Sequence, residues 1–409
     1  MMRRLPHRLS AFAIACLLSF LLSIGFNHVL AATPSSSSSY QWGLPDWTPR
    51  PIVPETNPMS QAKVELGRHL FYEKRLSVTG DFSCGSCHLQ SRAFTDGKPV
   101  GVGATGESHP RNSMSLANVA YNSVLTWANP LMTNLEQQGL VPLFGEHPIE
   151  LGMVGKENEI LTMLRDDPQY REMFAAAFGE GDENINVNHL MKVIASFERS
   201  LVSFNSPYDR YRYSGDRNAI SESAKRGETL FHSERLECFH CHGGLNFSDS
   251  IVHERLAFQE IAFHNTGLYN IDGNGAYPPN NTGVYEITHN PADMGRFKAP
   301  TLRNIELTAP YMHDGSVATL EEAIAHYKAG GRSIASGPYA GTGSTNPLKS
   351  QFIAGFELME QEKQDLLAFL RSLTDETFIQ NPAFSDPHDE VPSAKFDSLS
   401  FDANPFSRR

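Results

Sequence analysis

Cys84-Gly85-Ser86-Cys87-His88 and Cys238-Phe239-His240-Cys241-His242 decide how this chain is read. Both stretches are C-x-x-C-H, the attachment pattern of c-type haem. The chemistry requires that spacing. Two thiols one helical turn apart add to the two vinyl groups of one haem, and the adjacent imidazole gives its Nε2 to the iron. The composition alone predicts roughly 0.002 such matches in the chain. A pair of redox disulfides or a zinc site of C-x-x-C pairs are the alternatives, and neither requires a His after both pairs. The chain has five Cys. The fifth, Cys16, lies in an apolar leader, so no Cys is left for a structural disulfide and the covalent haems do the stapling.

The segment before each motif is repeated. Gly67-Arg68-His69-Leu70-Phe71-Tyr72-Glu73-Lys74-Arg75-Leu76 matches Gly227-Glu228-Thr229-Leu230-Phe231-His232-Ser233-Glu234-Arg235-Leu236 as G-x-x-L-F-x-x-x-R-L, with Ala62-Lys63 and Ala224-Lys225 just upstream. This reads as one amphipathic helix used twice, with Leu and Phe on its buried face. A repeat of that length predicts two related helical domains, each a small haem cradle. The predicted fold is mainly α, two tandem c-type cytochrome domains over 57–215 and 216–385 with long ordered loops.

Three more helices are legible. Asn186–Phe204 has apolar residues at helical spacing, with Asn186 as N-cap. Thr319-Leu320-Glu321-Glu322 is a capping box, and Gly330-Gly331 ends the helix it opens. Gln361–Leu373 is a closing amphipathic helix. No sustained strand alternation appears.

Residues 1–32 have the form of an export signal. Arg3, Arg4 and Arg8 precede the uncharged run Ala11–Phe26, and Ala31-Ala32 offers a small-residue cleavage site. The run is short for a spanning helix, although an uncleaved anchor is the alternative. Cys16 sits inside the run and reads as leader core. A flexible tether over 33–56 follows, and a polar tail is expected over 386–409. After leader cleavage no membrane span is predicted, and the mature chain is expected in the periplasm. A net charge of -12 argues against nucleic acid as a partner, because such binding rests on Lys and Arg neutralising phosphates.

The two motifs in tandem cradles, with Arg111-Asn112, Trp127 and Ala299-Pro300-Thr301-Leu302-Arg303-Asn304 around them, resemble the bacterial di-haem cytochrome c peroxidase and MauG superfamily. The resemblance covers about Asn57–Asp375. Leu143-Phe144-Gly145-Glu146-His147-Pro148 and Ala309-Pro310-Tyr311-Met312-His313-Asp314-Gly315 look closest to the MbnH group, MauG-like proteins associated with methanobactin-type copper operons.

The resemblance implies roles residue by residue. Cys84, Cys87 and His88 would hold the first haem, and Cys238, Cys241 and His242 the second. Splitting peroxide at one iron requires the two to differ. The candidates for a second ligand downstream are Met294, Met312, His326, Tyr327 and Met359. The family's position lies 17 residues after the Pro of Thr-x-Pro, and Thr308-Ala309-Pro310 points to Tyr327. Peroxidases of the family carry Met there and MauG-like members Tyr. A phenolate is a hard anionic donor that stabilises higher iron oxidation states, whereas a thioether favours Fe(II). A buried core tyrosine is the alternative for Tyr327. The first haem would be open, since His109 does not match the family's removable distal His and His147 is a weaker blocker.

Heterolytic peroxide cleavage needs a group that moves a proton from one oxygen to the other. By the match over Leu135–Leu143, Gln138 would hydrogen-bond peroxide, Pro142 would pack over the open iron, and Glu150 would be the acid-base carboxylate. Glu146 is its fallback. Trp127 matches the inter-haem indole that relays electrons. Asn112 with the carbonyls of Thr308 and Pro310 resembles an inter-haem calcium site, built of the hard oxygens calcium takes.

The function implied is a periplasmic di-haem peroxidase-type oxidoreductase. Hydrogen peroxide would drive it to a bis-Fe(IV) state that oxidises an aromatic residue, a Trp for the MbnH group, of a partner protein. The first alternative is a cytochrome c peroxidase that reduces peroxide to water with electrons from a small redox protein. The second is a di-haem electron carrier that is not an enzyme.

Overall fold

The helix Gln61–Tyr72 begins at Ser60, whose side chain accepts from the backbone N–H of Lys63, and it buries Val64, Leu66, Leu70 and Phe71 on one face. That face crosses the helix Val187–Ser200. At the crossing a Cβ on Gly67 would overlap the carbonyl oxygen of Val193, so only glycine permits this approach. The computed structural model describes residues 40–389. The expected leader at 1–32, the first part of the tether and the tail from 390 onward lie outside the described residues.

The same construction appears again downstream. The helix Glu222–Phe231 is capped by Ser221 and crosses the helix Glu360–Arg371. There a Cβ on Gly227 would overlap the carbonyl oxygen of Asp365. Phe71 meets Phe197 with ring centroids 5.2 Å apart, and Phe231 meets Phe369 at 5.1 Å. Burying one such aromatic ring contributes about 1.5–3 kcal/mol. Each crossing therefore anchors a core. The first core runs from Val64 to Leu201, and the second takes most of its residues from Tyr208 to Leu373. The chain also exchanges pieces between them. Trp127 and Ala128 pack in the second core, whereas Phe378 and Phe384 return to the first. There the hydroxyl of Tyr72 donates to the carbonyl of Phe384 at 2.7 Å.

The chain is mainly α, as predicted. Among the described residues the named strands are Ser333–Ile334 and Gly341–Thr342, paired antiparallel. The predicted helix from Asn186 starts as expected, with the Asn186 side chain accepting from His189 N–H at 2.9 Å. It stops at Ser200 rather than Phe204. A tertiary contact ends it. Asn118 donates its backbone N–H to Leu201 O at 2.8 Å and its side-chain oxygen accepts from Ser203 N–H at 2.7 Å. These bonds draw the backbone out of the helix. The capping box at Thr319 opens the helix Leu320–Lys328, where Thr319 accepts from Glu322 N–H. Gly330, at φ +67°, follows its end.

Candidate functional site

Each C-x-x-C-H motif forms a short helix whose His faces a carbonyl. His88 Nδ1 lies 2.7 Å from Phe94 O and His242 Nδ1 lies 3.1 Å from Phe247 O. Phe94 and Phe247 sit at φ +63° and +49°, a conformation costly for a side-chain-bearing residue. In both copies that turn aims the carbonyl at the imidazole. A carbonyl partner puts the proton on Nδ1 and leaves the Nε2 lone pair for a metal. Burial lowers the pKa of both His, which keeps the rings neutral. The second cradle is held by Arg303, which is fully buried. It pairs with Asp209 at 2.9 Å and donates to Leu245 O at 2.8 Å.

Cys238, Cys241 and His242 line a largely apolar cavity of about 1340 Å³, part of it open to solvent. Tyr327 and Met312 face the same cavity, and so does Trp127. Burial raises the phenol pKa of Tyr327, with Cys241 and Cys238 adding to the effect. Among the described residues no hydrogen bond reaches its hydroxyl. The side chain is half-buried and borders the cavity, a position from which a phenol can meet a bound group. The other candidates divide. His326 Nε2 is taken by Thr266 O at 3.1 Å, Met359 is 67% exposed, and Met294 packs against the second core. Two thiols, an imidazole with free Nε2, apolar walls and an unpartnered phenol fit a haem.

The first motif faces different residues. Burial raises the thiol pKa of Cys84 and of Cys87, the latter to about 11, and the charge of Glu150 adds to both. Glu150 itself is half-buried, and burial pushes its carboxyl up to about 7. Its place is set by backbone pairing. Glu150 O accepts from Ala104 N–H at 2.7 Å, and Leu151 N–H donates to Pro142 O at 2.9 Å. Glu146 is exposed. Gln138, half-buried, ends the short helix Leu135–Gln138. That helix is pinned to Val187–Ser200 by Glu136, which accepts two bonds of 2.7 Å from Arg199. His147 is exposed, and His109 Nδ1 accepts from Arg111 N–H at 3.0 Å.

Trp127 is 9% exposed, and its indole N–H donates to Asn112 O at 2.8 Å. Asn112 in turn takes His313 O with its backbone N–H and Lys98 O with its side-chain amide, both at 2.8 Å. Those amide bonds leave Asn112 Oδ1 as an acceptor. Thr308 and Pro310 lie on the same segment as His313, with Ala309-Pro310 cis.

Sequence reasoning missed Lys298 and Glu198. Lys298 lines the second cavity and is 3% exposed. Glu198 is 7% exposed, and its Oε2 has no partner. A longer reading of the repeat would have found both. Ser115-Leu116-Ala117-Asn118 matches Thr301-Leu302-Arg303-Asn304, and Phe197-Glu198-Arg199-Ser200-Leu201 matches Phe369-Leu370-Arg371-Ser372-Leu373. Asn118 and Asn304 both take left-handed φ, +57° and +60°.

Among the described residues no helix is long and apolar enough to cross a membrane. The profile of the family described as di-haem cytochrome c peroxidase matches residues 61–218. The chain is similar to the methylamine utilization protein MauG of Methylophilus methylotrophus, 33% identical over 80% of this chain and 86% of that protein. It is 34% identical to the cytochrome-c peroxidase IdrP1 of Pseudomonas sp. (strain SCT), over 84% of this chain and 90% of that one. Among solved structures it resembles a MauG-like protein associated with microbial copper homeostasis. That match has 53% identity and a TM-score of 0.83, and covers 85% of this chain and 99% of the other. With two repeated His cradles and relatives that run along most of its length, this chain belongs to the di-haem cytochrome c peroxidase and MauG family of haem oxidoreductases.

Proposed function

We propose that this protein is an exported, periplasmic oxidoreductase that uses hydrogen peroxide to oxidise an aromatic residue, a tryptophan, of a partner protein. The observation that carries the reading is Tyr327, a half-buried phenol with no hydrogen-bond partner among the described residues, which lines the cavity of Cys238, Cys241 and His242. Cys84 and Cys87, and Cys238 and Cys241, would hold two haems by thioethers, and the bound haems would supply redox-active iron for peroxide chemistry. His88 and His242 present Nε2 to the two irons, and their Nδ1 protons stay on Phe94 O and Phe247 O. Tyr327 offers an anionic oxygen to the second iron, a donor that favours its higher oxidation states.

Glu150 accepts the proton of the near peroxide oxygen and returns it to the leaving oxygen. A carboxyl held at about 7 has both forms available at neutral pH, which suits that exchange. Gln138 orients peroxide, and Pro142 restricts the space above the first iron. Trp127, fixed by Asn112 O, passes electrons between the two sites. Asn112 Oδ1 with the carbonyls of Thr308 and Pro310 takes calcium and ties the two halves.

The test starts from the purified two-haem protein. Intact-mass analysis is expected to show a chain cut near Ala32 and heavier by two haems. The ferric protein gives one high-spin and one low-spin signal by electron paramagnetic resonance, and Tyr327→Phe alters only the low-spin one. Peroxide followed by the partner protein then leaves a mass increase on one partner tryptophan. An unaltered low-spin signal transfers the ligand role to Met312. Relatives called cytochrome c peroxidases favour a second reading, peroxide reduced to water by a small redox protein. Fast turnover with such a donor and no covalent change on a partner establishes it.

A further inference from the structure

Lys298 is the most deeply buried lysine in the second half. Lys298 is among the residues that line the cavity of Cys238, Cys241 and His242. Its Nζ donates to Val124 O at 2.8 Å, and an ammonium carries three donors. Among the described residues no carboxylate lies within ion-pairing distance of it. Burial alone lowers its pKa, to about 7. A lysine placed in an apolar wall without a counter-ion is destabilising unless an anion arrives. The neighbouring backbone makes its position firm, because Lys298 N–H donates to Trp127 O at 2.8 Å.

At the matching register position the first half carries no cation. Lys298 stands six residues before Asn304, and the residue six before Asn118 is Asn112. Asn112 is neutral and bonds to the carbonyls of Lys98 and His313. The charge is therefore a feature of one cavity and not of the shared construction. What the cavity is built to receive also narrows the anion. A haem carries two carboxylates on its propionate chains, and these are the only anionic groups it brings into an apolar site.

We propose that Lys298 is the counter-ion of a propionate of the second haem and holds that carboxylate next to Trp127. The proposal rests on the reading that a haem fills this cavity. It adds a consequence for the electron relay. An unpaired ammonium close to Trp127 opposes removal of an electron from the indole, and a carboxylate on Lys298 cancels that field. Pairing the lysine thus stabilises the haem in place and leaves Trp127 oxidisable.

The experiment uses the two-haem protein with Lys298→Met, which keeps length and removes charge, and Lys298→Arg, which keeps charge. The readouts are the propionate bending band of the second haem in resonance Raman spectra and its ferric–ferrous equilibrium. Lys298→Met is expected to shift the band and to lower the reduced-to-oxidised ratio at a fixed potential about tenfold, which is 59 mV for one electron. Lys298→Arg recovers most of both. A Met variant with both haems, an unshifted band and an unchanged equilibrium overturns the proposal. If that variant fails to take up the second haem, a crystal structure of the wild-type two-haem protein decides. Nζ within about 3.5 Å of a propionate oxygen supports the assignment, and Nζ beyond that distance from every propionate oxygen overturns it. A wild-type mass that lacks the second haem removes the haem reading itself, and this proposal with it.

Discussion

The two halves of this chain solve one packing problem in the same way and then differ in the polar side chains set around it. Gly67 and Gly227 permit the same close helix crossing, Phe71–Phe197 and Phe231–Phe369 fill it, and Phe94 and Phe247 turn a carbonyl onto the motif His. Yet Glu198 stands in the register of Leu370, which lines the second cavity, and Asn112 stands in that of Lys298. The first half has a half-buried carboxyl, Glu150, and a buried one, Glu198. The second has an unpartnered phenol and a buried ammonium. The lesson is that the scaffold residues are those whose size or backbone conformation allows no exchange. Side chains pointing into the cavities are free to vary, and there the halves acquire unlike chemistry.

The comparison breaks most visibly at Glu150, which has no counterpart role in the second half. Glu150→Gln is expected to slow peroxide consumption by about 10²–10⁴-fold, whereas Glu146→Gln stays near wild type, as stopped-flow rates with peroxide will show. In the proposed exchange the ionised carboxyl accepts the proton. The rate therefore falls as pH drops through about 7, and Glu150→Gln removes that inflection.

Gly67→Ala and Gly227→Ala test whether the crossings are equivalent. Each added Cβ meets backbone rather than a flexible side chain, so each variant is expected to lose about 3 kcal/mol or more. Thermal unfolding of the haem-loaded proteins checks this. A loss at one glycine and not the other contradicts the shared construction.

Glu198→Leu copies the second half's Leu370 into the first. Glu198 is raised to about 8 by burial, with Glu136 adding and Arg199 opposing, so the folded chain holds it neutral. Its contribution is fully present below the unfolded value of 4.5 and lost as pH rises toward 8. The Leu variant is expected to gain about 1–3 kcal/mol at neutral pH, and the gain grows across that window. Denaturant midpoints at pH 5 and pH 8 measure it. Equal midpoints relative to wild type at both pH values point to a partner for Glu198 that keeps it charged.

The smallest effect is expected at Thr319, which caps the helix carrying Tyr327. Thr319→Ala should cost about 1 kcal/mol and broaden the low-spin resonance without abolishing it. Loss of that resonance would mean that the cap, and not the packing of Leu320 and Ile324, positions the phenol.

Much of the construction was legible because it is local. Each C-x-x-C-H motif spans one short helix, and the caps at Asn186 and Thr319 depend on residues within one turn. The repeated helix was legible because Gly, Leu and Phe recur at helical spacing. The end of the helix at Ser200 was not, since Asn118, far away in sequence, supplies the bonds that stop it. Glu198 looks like an ordinary polar position on an amphipathic helix, and only the crossing against Gly67 removes it from water. The place of Glu150 rather than Glu146 beside the first motif depends on Ala104 pairing with Glu150 O, a long-range register that no pattern within the loop specifies.

By itself, then, the sequence determined the two cradles, the mainly helical architecture and the identity of the motif His, because covalent chemistry and short-range hydrogen bonding act over a few residues. The tertiary structure alone decided which of several eligible side chains face each cavity. Tyr327 and Met312 reach the second one and Met359 does not, and Lys298 becomes a buried charge only when Trp127 and Val124 close over it. Burial and electrostatic environment are properties of everything packed round a group, and that surrounding is assembled from segments that the chain keeps far apart.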